Sequence, residues 1–285
     1  MNGYPFSPKT FELGDGNSIS YLDEGSGPAV VMLHGNPTWS FYYRNLTALL
    51  QKGFRVIVPD HLGCGLSSKP QNYPYRLKNH IDNLEMLLNH LGLSELSLVL
   101  HDWGGAIGLG YGVRHPDRIR SLVILNTAAF PAKNLPLRLR LCRLPLLGAI
   151  LVRGLNGFAR AATYMAVNKR MAPEIARQYL EPYDSWKNRI AVLRFVQDIP
   201  MSNNHPSHQT LLEIEAGLHL FEDRPMLIVW GGRDFCFNDW FYREWRRRFP
   251  DSESTYFPEA GHYVLEDAFS EAGPLIRDFL ERGIG

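Results

Sequence analysis

Apolar runs alternate with helical spacings through the first 126 residues. Ser18 to Leu22 reads as a short strand. Ala29-Val30-Val31-Met32-Leu33 is continuously apolar, the pattern of a strand covered on both faces. Phe41 to Leu50 has helical spacing, and Arg55 to Val58 is another strand. Tyr75 to Leu91 sets Leu77, Ile81, Leu84, Leu87, Leu88 and Leu91 at a helical period. Leu96 to Leu100 and Leu122 to Leu125 are further strands, with a glycine-rich helix between them. This alternation predicts a mostly parallel sheet covered by helices, an α/β architecture. After Asn126 the pattern changes: residues 127–223 carry helical spacing and no convincing core strand. Alternation resumes with Pro225 to Trp230, a helix near Asp239 to Phe249, a short strand around Ser254 to Phe257 and a terminal helix from about Val264. The expected organisation is a core of residues 1–126 and 224–285, with residues 127–223 inserted as a helical cap.

Composition narrows the classes. The chain has 285 residues, 45% hydrophobic and 21% charged, which are ordinary globular values. A net charge of +1 gives no footprint for nucleic acid. No apolar run reaches the roughly 18–20 residues of a membrane span. The opening Met1-Asn2-Gly3-Tyr4-Pro5 lacks a basic region followed by an apolar one, so no signal peptide is visible. Cys64, Cys142 and Cys236 are odd in number and widely spaced, which fits neither a disulfide framework nor a zinc site. The expectation is a cytoplasmic protein with reduced cysteines and no metal or cofactor. One local asymmetry stands out. Between Thr127 and Pro173 there are eight basic residues (Lys133, Arg138, Arg140, Arg143, Arg153, Arg160, Lys169 and Arg170) and no acidic one. They interleave with leucines, as in Leu137-Arg138-Leu139-Arg140-Leu141. The plain reading is a solvated helix face above a packed one. The functional reading is an apolar substrate tunnel whose basic outer surface faces an anionic ligand, a partner or a membrane.

The chemistry-bearing segments lie where strands end. Ser97-Leu98-Val99-Leu100-His101-Asp102-Trp103-Gly104-Gly105 runs from an apolar strand through an acid into a glycine-rich helix. It resembles the nucleophile elbow of α/β-hydrolases, where the exposed residue is usually Ser. A carboxylate there is suited to attack saturated carbon and form an alkyl ester. Val31-Met32-Leu33-His34-Gly35-Asn36-Pro37 brings glycine and a polar residue to another strand's C-terminal end, the edge where such sheets bind ligands. Backbone N–H groups there and at Trp103 suit a developing anion. Trp230-Gly231-Gly232-Arg233-Asp234 sets an acid after a later strand, and Pro258-Glu259-Ala260-Gly261-His262 sets a histidine before the last helix. Nucleophile, acid and histidine in this order form the α/β-hydrolase triad: Asp102 attacks, His262 activates water or holds a proton, and Asp234 fixes the imidazole. Asp239 is a nearby rival for the acid. The side-chain N–H groups of Asn36 and Trp103 are candidate donors to a leaving anion.

His34-Gly35-Asn36-Pro37, His101-Asp102-Trp103-Gly104-Gly105 and Gly261-His262 are similar to the haloalkane dehalogenases of the α/β-hydrolase superfamily. The resemblance covers essentially the whole chain, and Leu100, a large apolar residue in place of the serine-hydrolase glycine, fits it. It implies Asp102 as nucleophile, His262 as base, Asp234 as acid, and Asn36 with Trp103 on the leaving group. Three further stretches narrow the match: Leu125-Asn126-Thr127-Ala128-Ala129-Phe130, Tyr183-Asp184-Ser185-Trp186 through Ile199-Pro200, and Ala260-Gly261-His262-Tyr263-Val264-Leu265-Glu266-Asp267. These resemble the β-lactone decarboxylases of bacterial olefin biosynthesis, the OleB family. That resemblance implies ring opening of a cis-3,4-dialkyl β-lactone by Asp102, then loss of carbon dioxide to leave an alkene. It also implies a long-chain hydrophobic substrate and a complex with other enzymes of olefin biosynthesis, while the basic cap suggests peripheral membrane contact. The alternatives on the same fold are a haloalkane dehalogenase, an epoxide hydrolase drawing on Tyr164, Tyr179 or Tyr183 of the cap, and a non-catalytic small-molecule receptor.

Overall fold

The computed structural model describes residues 4–132 and 135–283. The opening Met1 to Gly3 and the cap cation Lys133 lie outside them. Eight strands form one sheet: β1 (Lys9–Glu12), β2 (Ser18–Glu24), β3 (Ala29–Leu33), β4 (Arg55–Pro59), β5 (Leu96–Asp102), β6 (Ile119–Thr127), β7 (Met226–Gly231) and β8 (Glu253–Phe257). Their order is β1-β2-β4-β3-β5-β6-β7-β8. From β4 to β8 neighbours run parallel, and β2 and β1 pair antiparallel at one edge.

Strict alternation along the central strands divides the core in two. Val31, Leu33, Leu98, Leu100, Ile124 and Ile228 face one side. Val30, Met32, Val99, Val123, Leu125 and Val229 face the other. Both sets are fully buried, which is why these strands read as unbroken apolar runs. Helices α2 (Leu77–His90), α3 (Trp103–Arg114) and α10 (Asp239–Arg248) cover the first face. Helices α1 (Arg44–Leu50), α11 (Val264–Asp267) and α12 (Phe269–Arg282) cover the second.

Between β6 and β7 the described residues are helical: α4 (Leu137–Arg143), α5 (Pro145–Gly148), a π-helical turn (Ala149–Gly154), α6 (Gly157–Met165), α7 (Pro173–Leu180), α8 (Ile190–Gln197) and α9 (His208–Gly217). Val152, Ala159, Tyr183, Val192 and Leu193 form a small core of their own. The last helix of the stretch behaves differently. Leu211 and Ile214 of α9, with Leu218 beyond it, join the cluster under the sheet, so α9 packs on the core side.

Local boundaries depart from the sequence reading where the apolar pattern is weak. β1 is a largely exposed edge strand with no apolar run to announce it. The helix near Phe41 begins as a 3-10 turn over Ser40–Tyr43 before α1. The terminal helix is split at Ala268 into α11 and α12.

Candidate active site

The site is assembled from the C-terminal ends of four strands. β5 ends at Asp102, with φ 50° and ψ −125°, and α3 begins at the next residue. A non-glycine residue at positive φ is strained, and here the turn forces the carboxylate outward. The turn needs room on both sides. A Cβ on Gly104 would meet the Leu33 carbonyl, and a Cβ on Gly35 would overlap the Asp102 carboxylate. Thr127 at the end of β6 donates its hydroxyl to the Asp102 carbonyl. The carboxylate is itself held: the Asn36 N–H donates to Oδ1 at 2.7 Å, and the Trp103 backbone N–H acts on the same group. The Asn36 amide expected to serve a developing anion therefore already grips Oδ1 of Asp102, and Oδ2 is left as the oxygen nearer the histidine.

His262 follows the end of β8 and faces Oδ2, with Nε2 3.7 Å away. Its Nδ1 donates to Asp234 Oδ2 at 2.7 Å. Asp234 is bound on all sides. Asn126 Nδ2 donates to Oδ2 at 3.1 Å, and the Cys236 and Phe237 amides donate to Oδ1 at 2.6 and 3.0 Å. Asp239 lies elsewhere, accepting the Tyr256 hydroxyl, so Asp234 is the carboxylate that meets the imidazole. Burial pulls the His262 pKa down, but the charge and hydrogen bond of Asp234 and the charge of Asp102 outweigh it, and the net shift is upward. Burial raises the Asp102 pKa against the opposing pull of His262 and the two amides.

Three supporting residues received no role in the sequence reading. Asn126, at φ 38°, bridges the Gly231 backbone in both directions and reaches Asp234. Its signal was an Asn at a strand end, a residue type that tolerates left-handed backbone. Asp267 accepts the Gly261, Asn168 and Lys169 amides at 2.7–2.8 Å, tying the histidine loop to the inserted helices. His101, fully buried with its pKa depressed first by desolvation, donates from Nε2 to the His262 carbonyl at 2.9 Å.

Asp102 and His262 open into a cavity of about 410 Å³. Its wall is overwhelmingly apolar, with Phe130, Leu139, Leu151, Phe158, Val196 and Phe241 among the lining residues. Asn36 and Trp103 both line it. One amide proton of Asn36 is spent on the Val192 carbonyl of α8 at 3.1 Å, leaving the second free. The Trp103 indole N–H has no protein acceptor among the described residues. Two N–H donors therefore remain for an anion beside Asp102. The cap tyrosines are engaged or far away: Tyr179 donates to Glu266, Tyr183 to the Thr38 carbonyl, and Tyr164 is 66% exposed. Among the described residues no cluster of three His, Cys, Asp or Glu side chains could hold a metal, and no helix is long and apolar enough to cross a membrane.

Residues 28–269 match the family model described as the alpha/beta hydrolase fold. The chain is 49% identical to a cis-3-alkyl-4-alkyloxetan-2-one decarboxylase of Shewanella oneidensis over 93% of this chain and 86% of that one. It is 44% identical to the protein of the same name from Xanthomonas campestris, over 98% of both. Among solved structures, a haloalkane dehalogenase of Agrobacterium tumefaciens superposes with a TM-score of 0.86 at 26% identity, covering 99% of both chains.

Proposed function

The chain belongs to the α/β-hydrolase family, and from that premise we propose that it is a cis-3-alkyl-4-alkyloxetan-2-one decarboxylase with Asp102 as nucleophile. The observation that carries this reading is a carboxylate at the elbow of an apolar cavity, with two uncommitted N–H donors beside it. Oδ2 of Asp102 attacks the lactone carbon that bears the ring oxygen. That carbon–oxygen bond breaks with inversion, and its electron pair stays on the released carboxylate. Asn36 Nδ2 and Trp103 Nε1 bind this carboxylate, a stabilisation that grows as the charge develops. The bond from carbon to the carboxylate then breaks. Carbon dioxide departs, the electron pair forms the alkene, and Asp102 leaves as a carboxylate. No water or net proton is consumed. Inversion followed by anti elimination converts a cis-lactone into a cis-alkene. A protonated His262, supported by Asp234, faces the departing carboxylate, and its raised pKa suits that role.

The same first step serves a haloalkane dehalogenase. Two features favour that second reading: the Asn36 and Trp103 amides already act on the Asp102 carboxylate and suit a tetrahedral oxyanion, and Nε2 of His262 is near enough to activate a water. Epoxide opening has less support, because none of the three cap tyrosines lines the cavity.

Turnover in isotopically labelled water separates the two. The decarboxylase releases cis-alkene and leaves Asp102 unlabelled in peptide mass spectrometry. Label in Asp102 during lactone turnover, with alcohol in place of alkene, overturns the decarboxylase mechanism and promotes hydrolysis.

A further inference from the structure

Exposed apolar surface is concentrated on one stretch of the inserted helices. Of the sixteen large apolar side chains exposed among the described residues, seven lie between Leu137 and Leu155. Leu146 is 82% exposed, Leu137 70% and Ile150 57%. Scattered single exposures are ordinary, whereas a contiguous patch marks an interaction site. The same stretch carries no acidic residue. Exposed Arg138, Arg140 and Arg160 have no carboxylate partner among the described residues, and their side-chain contacts are limited to Met165 sulfur and the Leu135 carbonyl. The patch is continuous with the cavity, because Leu141 and Arg138 are exposed and also line it.

Charge decides what covers this surface. A second copy seated face to face would set arginines against arginines, since a two-fold interface pairs one patch with itself. Protein partners usually engage aromatic anchors, and the patch is aliphatic. Leucines flanked by unpaired arginines fit an anionic bilayer: the apolar side chains enter the interface while the guanidinium groups reach phosphates. We propose that the Leu137–Leu155 surface docks peripherally on anionic lipid, and that the cavity exchanges its apolar substrate and product with the lipid phase there. The exchange rests on the lactone reading; the docking does not.

The test is flotation of the purified protein with vesicles of phosphatidylcholine alone or with equimolar phosphatidylglycerol. Wild type floats with the anionic vesicles and is released by salt. Leu146→Glu/Ile150→Glu and Arg140→Glu/Arg160→Glu each weaken binding about tenfold. None of these four residues lines the cavity, so both variants keep native circular dichroism and wild-type turnover of a short, water-soluble lactone. They lose turnover of a long-chain lactone presented in vesicles. Asp102→Ala, inactive by design, still floats, which keeps docking separable from the reaction. Wild type that stays unbound at low salt overturns the proposal, as do variants that float like wild type. Loss of a wild-type dimer in these variants without any vesicle binding also overturns it, and assigns the surface to protein contact.

Discussion

At the residue scale, Asp102 holds a backbone conformation suited to glycine, with its carboxylate buried beside His262. Strain at such positions is worth roughly 1–3 kcal/mol. Asp102→Gly therefore raises the melting temperature while abolishing turnover, as calorimetry beside a product assay will show. A variant both inactive and destabilised would argue that the carboxylate is a structural anchor. Asn36 and Trp103 are expected to act on the first chemical step only. Asn36→Ala and Trp103→Phe each slow single-turnover alkylation of Asp102 by about 10²–10³, and wild-type rates would make them packing elements. His262 carries a sign that depends on the reaction. Hydrolysis needs it neutral and fails as pH falls below its raised pKa. Decarboxylation uses the charged form and persists there, so acid pH–rate profiles of alkene release and alcohol release should diverge.

Between elements, one cluster fastens the inserted helices to the core beside the site. Glu266 in α11 accepts a two-pronged contact from Arg44 at the start of α1, at 2.5 and 2.9 Å. It also accepts the hydroxyl of Tyr179 in α7 at 2.5 Å. Arg44 is almost fully buried. Removing one member strands a charge away from water, which typically costs about 3–5 kcal/mol. Glu266→Ala is expected to lower unfolding free energy by that amount in denaturant titration. Tyr179→Phe, which leaves the ion pair whole, loses about 1.5–3 kcal/mol. Equal losses would mean that the tyrosine, and not the ion pair, fastens the helices.

For the whole molecule, four histidines are buried in neutral form. His34, His61, His80 and His101 all have pKa values depressed first by desolvation, His61 to about 4. Each folded value lies below the ordinary 6.5, so between the two the unfolded chain binds more protons. Stability is complete above about pH 6.5 and falls as pH falls, by roughly 1.4 kcal/mol per pH unit for each histidine within its window. For His61 the window closes near 4. Among the described residues His80 has no partner on either ring nitrogen, and it stacks on Phe195 at 4.4 Å. His80→Phe should flatten the fall in melting temperature between pH 7 and 5. An unchanged slope would show that acid sensitivity arises elsewhere.

Much of this protein was legible in its sequence because its sheet is covered on both sides. Strands such as Ala29–Leu33 and Leu96–Asp102 must then be apolar throughout, and helices such as Leu77–His90 must show one apolar face. Asp102, Asp234 and His262 could be named because a parallel sheet turns each strand end toward the same edge. Edge strand β1 could not be read, since a largely exposed strand needs no apolar run. The sequence favoured Asp234 over its rival Asp239, five residues on, and the packed chain sets Asp234 against the imidazole because the loop after β7 closes on Asn126. The grip of the Asn36 amide on Asp102 Oδ1, the sharing of Asn36 with the Val192 carbonyl and the packing of α9 against α3 depend on contacts between residues distant in sequence. The exposure of Leu137 to Leu155 is of the same kind. Periodicity tells that a helix has an apolar face; only the packed chain decides whether anything covers it.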